Sequence, residues 1–207
     1  MRYLTLLLGV LFILILFNVG ESFLKRLNIK KIYALTFVAL EIICLFLPAF
    51  QIAGINFTVG GFVLPAVVSI YFFKEIKNKK YFGKLLIAYL SVVLIMQIYF
   101  LANNVYGQSE ILGWAIVSGL LGVISLLVCY YPKQAFISLF WGINTAEIIF
   151  YFTRDFSDLS GLVLGSNIML FGLILGFLVI SFCYNIFYVL NRRQKAKAFA
   201  QNKVDVL

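Results

Sequence analysis

The chain has 207 residues, of which 63% are hydrophobic and only 12% are charged, and its formal net charge is +9. Soluble domains are typically about 45–50% apolar and about 25% charged, so a water-soluble fold of this composition would expose large apolar patches. These values exclude an ordinary soluble domain. They predict an all-α fold, a polytopic bundle of transmembrane helices embedded in a lipid bilayer.

The chemistry available to the chain is limited by its residue types. The sequence contains no histidine, which removes bis-histidine haem, the common zinc sites and histidine general-base catalysis. Cys44, Cys129 and Cys183 are far apart within or beside apolar runs, where we expect them to act as small buried hydrophobes. The sequence therefore predicts no cofactor and no metal site. It also predicts no nucleic-acid partner, because no basic and aromatic module stands outside the apolar segments.

Seven apolar segments follow one another along the chain, and each is close to the length of about 20 residues that a transmembrane helix needs. The segments cover residues 3–20, 32–50, 52–73, 83–102, 111–131, 134–152 and 162–190. A turn around residues 51–54 joins the second and third, and Pro48 and Pro65 predict kinks within them. The last segment exceeds a single crossing, so it must tilt, project from the membrane or begin irregularly.

Basic residues are confined almost entirely to alternate loops. With seven spans, all but two of the 17 lysines and arginines fall on one side, and only Arg2 and Arg154 remain on the other. Cytoplasmic loops carry such an excess of positive charge, which predicts an outside N-terminus and an inside C-terminus in the cell membrane. We expect the first span to be retained, because no small-residue cleavage site follows it. Residues 1–191 should form the transmembrane domain, and residues 192–207 a solvated, disordered basic tail.

Two carboxylic side chains lie inside predicted spans. Glu41 is halfway along the second and Glu147 is in the outer part of the sixth. A charged carboxylate at the bilayer centre costs about 2.5–3.5 kcal/mol, so each should face protein or water. Asn144 shares a helix face with Glu147, and Asn167 and Asn56 are expected at a similar depth on neighbouring spans. These polar residues predict an outward-open cavity that binds a small polar solute or ion. The alternative is that the carboxyls are neutral and form hydrogen bonds with neighbouring helices.

Glycines form two further patterns. Gly60 and Gly61 precede Pro65 and would allow unwound backbone that lines the same site. The fifth and seventh spans carry small residues at helical spacing, which predict close helix packing: Gly119, Gly122, Gly165, Gly172 and Gly176.

The order of these motifs resembles an uncharacterised family of polytopic bacterial and archaeal membrane proteins, defined as a domain of unknown function. The family hallmark, Asn-x-Gly-Gly-x-x-x-Pro followed by Ser-x-Tyr, is similar to a central stretch of this chain. The residues that carry the resemblance are Glu21-Ser22-Phe23, Leu27-Asn28, Leu47-Pro48, Asn56, Gly60-Gly61, Pro65, Ser69, Tyr71, Pro132, Gly142, Ala146-Glu147 and the segment 165–176.

The resemblance implies the seven-span architecture and invites comparison with intramembrane aspartyl pairs. Family members carry an aspartate in each of the last two motifs, but the first position is Glu147 in this chain and the second falls on Leu170. The chain also has two extra residues before the glycine pair. A paired-carboxylate mechanism needs two carboxyls in one site, and Glu41 is the remaining candidate for the second.

Three functions stay open at this point. The first is a transporter-like or channel-like protein for a small polar solute or ion, acting as a homo-oligomer or with a partner membrane protein. The second is a non-catalytic membrane scaffold or complex subunit that binds partners through its glycine faces and basic loops. The third is an intramembrane enzyme that uses Glu147 and Glu41.

Overall fold

The computed structural model describes residues 2–19, 21–27, 29–76, 79–103, 111–153 and 161–204. The described residues form eight α-helices, one π-helical turn and three short strands. The helices are α1 (Arg2–Leu16), α2 (Glu21–Arg26), α3 (Lys31–Cys44), α4 (Leu64–Lys74), α5 (Lys79–Asn103), α6 (Ile111–Cys129), α7 (Pro132–Thr153) and α8 (Asn167–Val204). The π turn (Val59–Val63) leads directly into α4, and the strands are β1 (Phe50–Ile52), β2 (Ile55–Phe57) and β3 (Val163–Leu164).

Among the described residues, three helical stretches are long and apolar enough to cross a membrane: Tyr81–Ala102, Pro132–Thr153 and Asn167–Asn191. The chain is therefore a mostly helical membrane protein. The other apolar helices are shorter, and α3, with 14 residues, is only about 21 Å long against a hydrocarbon layer of about 30 Å. The seven-span arrangement stays a prediction.

Consecutive helices in the second half of the chain run in alternating directions. The α5 and α6 helices are antiparallel, since Cys129 Sγ approaches the Lys84 carbonyl oxygen at one end and the rings of Trp114 and Tyr99 meet at the other. The α7 and α8 helices are also antiparallel, since Tyr151 near the end of α7 clusters with Leu164 just before α8, whereas Phe136 near the start of α7 packs against Phe177, further along α8. Alternation places the end of α6 and the start of α7 at one end of the bundle, and the end of α5 and the start of α6 at the other.

The two ends of the bundle differ in character. At one end Lys133, at the start of α7, forms an ion pair with Glu75, at the end of α4, and Arg26 lies beside them. The other end carries the three-stranded sheet, in which β2 pairs antiparallel with β1 and parallel with β3. We call the first the basic end and the second the sheet end.

The buried side chains of the described residues form one large cluster and two smaller ones. The large cluster joins α4 to α8 around α7, with Met96, Phe140 and Ile180 fully buried in it. A separate cluster joins α1 and α3 to one face of α8 through Leu170. The N-terminal helices are therefore attached to the rest of the chain through α8 and through the contact of α3 with the π turn. A third, small cluster lies beneath the sheet.

Helices α6 and α8 meet along small residues. A Cβ atom added at Gly122 would lie 2.5 Å from the Gly176 carbonyl oxygen, and one added at Gly172 would lie 2.5 Å from Ser118 Oγ. The contact with the Gly176 backbone requires the absence of a side chain at Gly122, in agreement with the predicted packing role of Gly122 and Gly176.

The predicted junction between the second and third apolar segments is wrong in detail. Helix α3 ends at Cys44, and residues 50–57 form a β-hairpin rather than helix ends. Its turn residues, Ala53 and Gly54, both have positive φ angles (51° and 87°), the geometry of the two-residue turn that matches strand twist. Pro48 therefore lies between α3 and β1 and kinks no helix. Pro65 lies in the first turn of α4, where proline is tolerated.

The last apolar segment begins irregularly and ends beyond the expected boundary. Strand β3 and Gly165 precede α8, which continues to Val204. The prediction of a disordered tail is wrong for residues 192–204. Alanine, lysine, arginine and glutamine dominate this stretch and are good helix formers, and they extend an existing helix without a new nucleation cost.

Candidate functional site

The π turn positions the central glycines of the predicted site. The Val63 amide donates to the Thr58 carbonyl oxygen (3.3 Å) and the Leu64 amide to that of Val59, each across five residues. Gly60 and Gly61 are buried within this turn. The predicted unwound backbone is thus an over-wide helical turn, a feature that occurs frequently at functional sites.

Gly61 and Gly165 form a backbone contact that joins the π turn to the start of α8. A Cβ atom added at Gly61 would lie 1.7 Å from the Gly165 carbonyl oxygen, which also accepts a hydrogen bond from Thr58 Oγ1. Gly165 has a φ of +74°, a conformation that suits glycine. The pairing of β2 with β3 continues the contact, since the Asn56 backbone N–H donates to the Leu162 carbonyl oxygen at 2.9 Å.

Glu41 lies against the other side of the π turn. Its side chain is 1% exposed, and a Cβ atom added at Gly60 would lie 3.0 Å from Glu41 Oε2. Neither carboxyl oxygen has a hydrogen-bond partner among the described residues. An isolated buried charge of this kind is costly, so these surroundings favour a carboxyl that carries a proton or binds a cation.

Glu147 and Asn144 lie on the α7 face that also carries Phe140 and Tyr151. Asn144 Nδ2 donates to the Phe140 carbonyl oxygen at 2.8 Å. Asn144 Oδ1 and Glu147 Oε2, however, are buried without a partner among the described residues. The Phe140 ring packs 5.7 Å from the ring of Phe62 in the π turn, and Tyr151 clusters with β3. This α7 face is therefore directed at the π turn and the sheet end.

The predicted site residues fall on four elements around the π turn. Asn56 lies in β2, and Asn167 is the first residue of α8 and is half-buried. The structure brings Gly60 against Glu41 and Gly61 against Gly165. It places Asn144 and Glu147 on one face, and Asn56 and Asn167 on the two segments that the glycine contact joins.

Two cavities lie away from the glutamates. A groove of about 500 Å³ runs between α4, α5 and α7, and its lining includes Ser69, Tyr89 and Trp141. A pocket of about 410 Å³ lies at the basic end. Neither is lined by Glu41 or Glu147, so the outward-open cavity at the glutamates stays a prediction. Within the described part of the chain, no three potential metal-ligating Cys, Asp or Glu side chains are grouped together.

Sequence reasoning missed how closely Gly165 belongs to the site. It assigned Gly165 to a helix-packing face, whereas the structure places it in the contact with Gly61 and in a hydrogen bond with Thr58. The Thr-x-Gly-Gly pattern at residues 58–61 indicated a backbone break, but no local signal pointed to a partner more than a hundred residues away. Comparison of the chain with family models, curated proteins and solved structures gave no match, so the family resemblance stays a prediction.

Proposed function

We propose that this protein binds a proton or small cation at Glu41 and Glu147 and moves it across the cell membrane, alone or with a small polar solute. The observation that carries the proposal is Glu41, whose two carboxyl oxygens are buried beside the π turn without a hydrogen-bond partner among the described residues. A purely structural carboxyl would be expected to donate or accept a hydrogen bond. Ionisable groups left inside a membrane protein usually mark proton or ion pathways.

In this proposal Asn144 and Glu147 supply further oxygen ligands. Asn144 Oδ1 and Glu147 Oε2 are also buried and unpartnered among the described residues, on the face of α7 that is directed at the π turn. In the proposed mechanism the cation passes between these oxygens and Glu41. The π turn holds its backbone by bonds across five residues, and a return to α-helical bonding would move Gly60 relative to the Glu41 carboxyl.

In this proposal the chain crosses the membrane several times, with the sheet end outside and the basic end in the cytoplasm. This orientation agrees with the positive-inside distribution of basic residues in the sequence. It would work as a homo-oligomer or with a partner membrane protein. The scaffold alternative loses one of its two proposed surfaces, because Gly122, Gly172 and Gly176 are already packed within the chain. The enzyme alternative would need the carboxyls of Glu41 and Glu147 to share one site.

Labelling with a hydrophobic carbodiimide tests the proposal, because this reagent modifies protonated carboxyls in apolar surroundings. Purified protein in detergent and in lipid would be labelled at several pH values and the adducts mapped by mass spectrometry. We expect modification at Glu41 or Glu147 that falls as the pH rises and is suppressed by one particular cation. Glu21 and Glu75 are ion-paired and partly exposed, so they serve as internal controls.

A transport assay separates binding from movement. Proteoliposomes of the wild type, Glu41→Gln and Glu147→Gln would be loaded with a pH-sensitive dye and given a proton or cation gradient. Glutamine keeps the side-chain volume and cannot exchange a proton, so we expect flux only with the wild type. If neither glutamate reacts with the carbodiimide at any pH and all three proteins give equal flux, the proposed function is wrong.

A further inference from the structure

The pocket at the basic end has the properties of a binding site. It has a volume of about 410 Å³ and lies where α2, α4, α5, α7 and α8 meet. Its lining combines cations, aromatic hydroxyls and an amide: Arg26, Glu75, Tyr81, Tyr131, Lys133, Gln134 and Tyr184. The pocket is distant from the π turn, so a ligand bound there would be independent of the proposed function.

The side chains that line this pocket carry one uncompensated positive charge. Lys133 Nζ pairs with Glu75 Oε2 at 2.5 Å, so these two charges cancel. Arg26 is held by neutral groups, since it donates to Asn185 Oδ1 and its guanidinium lies 3.9 Å from the centre of the Tyr188 ring. Among the described residues Arg26 forms no ion pair with a carboxylate. A ligand with a single negative charge would balance the pocket.

Gln134 adds a requirement for a hydrogen-bond donor. Its side chain is only 6% exposed, and Gln134 Oε1 is buried without a partner among the described residues. An oxygen acceptor in this position needs an O–H or N–H group from the occupant.

The tyrosine hydroxyls are donors that bring no negative charge. The rings of Tyr81 and Tyr131 meet edge to face at 5.4 Å, and a hydrogen bond from the Tyr131 side chain to Tyr81, with a smaller effect of Tyr184, raises the pKa of Tyr131. The Tyr81 hydroxyl accepts this bond and can donate its own hydrogen to a phosphate oxygen.

We propose that this pocket binds a singly charged phosphodiester that carries a neighbouring hydroxyl group. The phosphate accepts hydrogen bonds from Arg26 and the Tyr81 hydroxyl, and the ligand's hydroxyl donates to Gln134 Oε1. Phosphate oxygens form short, charge-assisted hydrogen bonds with a guanidinium. Stacking on an aromatic ring preorganises the guanidinium for these bonds. The headgroup of a glycerophospholipid and a soluble glycerophosphodiester share this chemistry.

Ligand-dependent thermal unfolding of the full chain in detergent, after removal of lipid, tests the proposal. The midpoint would be followed during titration with phosphatidylglycerol, with phosphatidylmethanol, which has the same charge and no hydroxyl, and with soluble glycerophosphoglycerol. A ligand that binds only the folded state raises the midpoint in proportion to its affinity.

Two matched comparisons give the expected results. Arg26→Gln should weaken phosphatidylglycerol binding about tenfold or more, whereas Lys25→Gln, which removes an equal charge from the neighbouring exposed position, should leave it unchanged. Gln134→Met should abolish the preference for phosphatidylglycerol over phosphatidylmethanol and leave binding of the latter unchanged. Arg26→Lys keeps the charge and should retain part of the affinity, which guards against a fold defect in Arg26→Gln.

The soluble ligand identifies the source of the phosphodiester. Stabilisation by glycerophosphoglycerol with the same dependence on Arg26 and Gln134 would support the site and assign it to a soluble phosphodiester. Stabilisation by phosphatidylglycerol alone, with that dependence, would support the site and assign it to lipid. Equal effects of Arg26→Gln and Lys25→Gln, or a hydroxyl preference that survives in Gln134→Met, would overturn the proposal.

Discussion

Glu41 and Gln97 are polar side chains inside helices that differ in their hydrogen bonding. Both carboxyl oxygens of Glu41 are unpartnered among the described residues, whereas Gln97 Nε2 donates to the Ala146 carbonyl oxygen at 2.6 Å. We predict that Glu41→Met, which keeps a similar volume, stabilises the protein by about 1–3 kcal/mol, because it removes an unsatisfied buried polar group. Equilibrium unfolding in mixed micelles measures the change.

The matched control is Gln97→Met. This substitution removes a formed hydrogen bond between α5 and α7, so it should destabilise the protein by about 0.5–1.5 kcal/mol. A loss of stability in Glu41→Met equal to that in Gln97→Met would mean that the glutamate has a structural partner. That result would also remove the main support for an ion-binding role.

At the scale of helices, the contact between α6 and α8 depends on Gly122 more than on Gly119. A Cβ atom at Gly122 would meet the Gly176 backbone, but a Cβ atom at Gly119 would only make an ordinary 3.8 Å contact with Val179 Cγ2. We predict that Gly122→Ala lowers the free energy of unfolding by about 1–3 kcal/mol through overpacking. Gly119→Ala should instead raise it by up to about 1 kcal/mol, since alanine is the better helix former.

Unfolding measurements on these two variants, under identical micelle conditions, make the comparison. The two positions lie on the same helix three residues apart, so differences in helix propensity largely cancel. Equal stabilities would show that α6 and α8 separate freely enough to accept a methyl group. In that case the small-residue face would again be available to a partner membrane protein.

The sequence predicted the long helices better than the short elements. The segments that became α5, α7 and the first part of α8 are long apolar runs, and such runs specify a helix in lipid by themselves. The strands have two or three residues, too few for an alternating pattern to be recognised. The π turn and β3 depend on a contact between Gly61 and Gly165, which is long-range and leaves no local signal.

The burial of the two glutamates was predicted from the sequence, but the arrangement of the elements around them was not. The buried carboxyls of Glu41 and Glu147 were evident from their place in apolar segments, because a charged group there is exceptional. Helical spacing alone put Asn144 on the face of Glu147. The approach of Gly60 to Glu41 depends on how α3 meets the π turn, and one sequence does not specify the packing of two helices.

At the scale of the whole molecule, the separation of the buried clusters predicts unequal local stability. Helices α1 and α3 pack on each other and on one face of α8, whereas α7 lies at the centre of the large cluster. Segments with fewer buried contacts open at lower free energy. We predict that backbone amides of α3 exchange with solvent deuterium sooner than those of α7, as measured by mass spectrometry in nanodiscs. Equal protection of the two helices would show that the chain opens as one cooperative unit.

The orientation of the chain gives the last prediction. The alternating helices put the hairpin and the charged loops at opposite ends, and the positive-inside rule assigns the basic end to the cytoplasm. Single cysteines at two exposed positions, Gln51→Cys in β1 and Lys25→Cys in α2, would be placed in a chain whose three natural cysteines are replaced by alanine. In intact cells, a membrane-impermeant maleimide should label only the cysteine at position 51. The cysteine at position 25 should react only after permeabilisation. Labelling at position 25 without labelling at position 51 in intact cells would reverse the topology. Labelling of both cysteines in intact cells would show that the hairpin and α2 lie on the same face of the membrane.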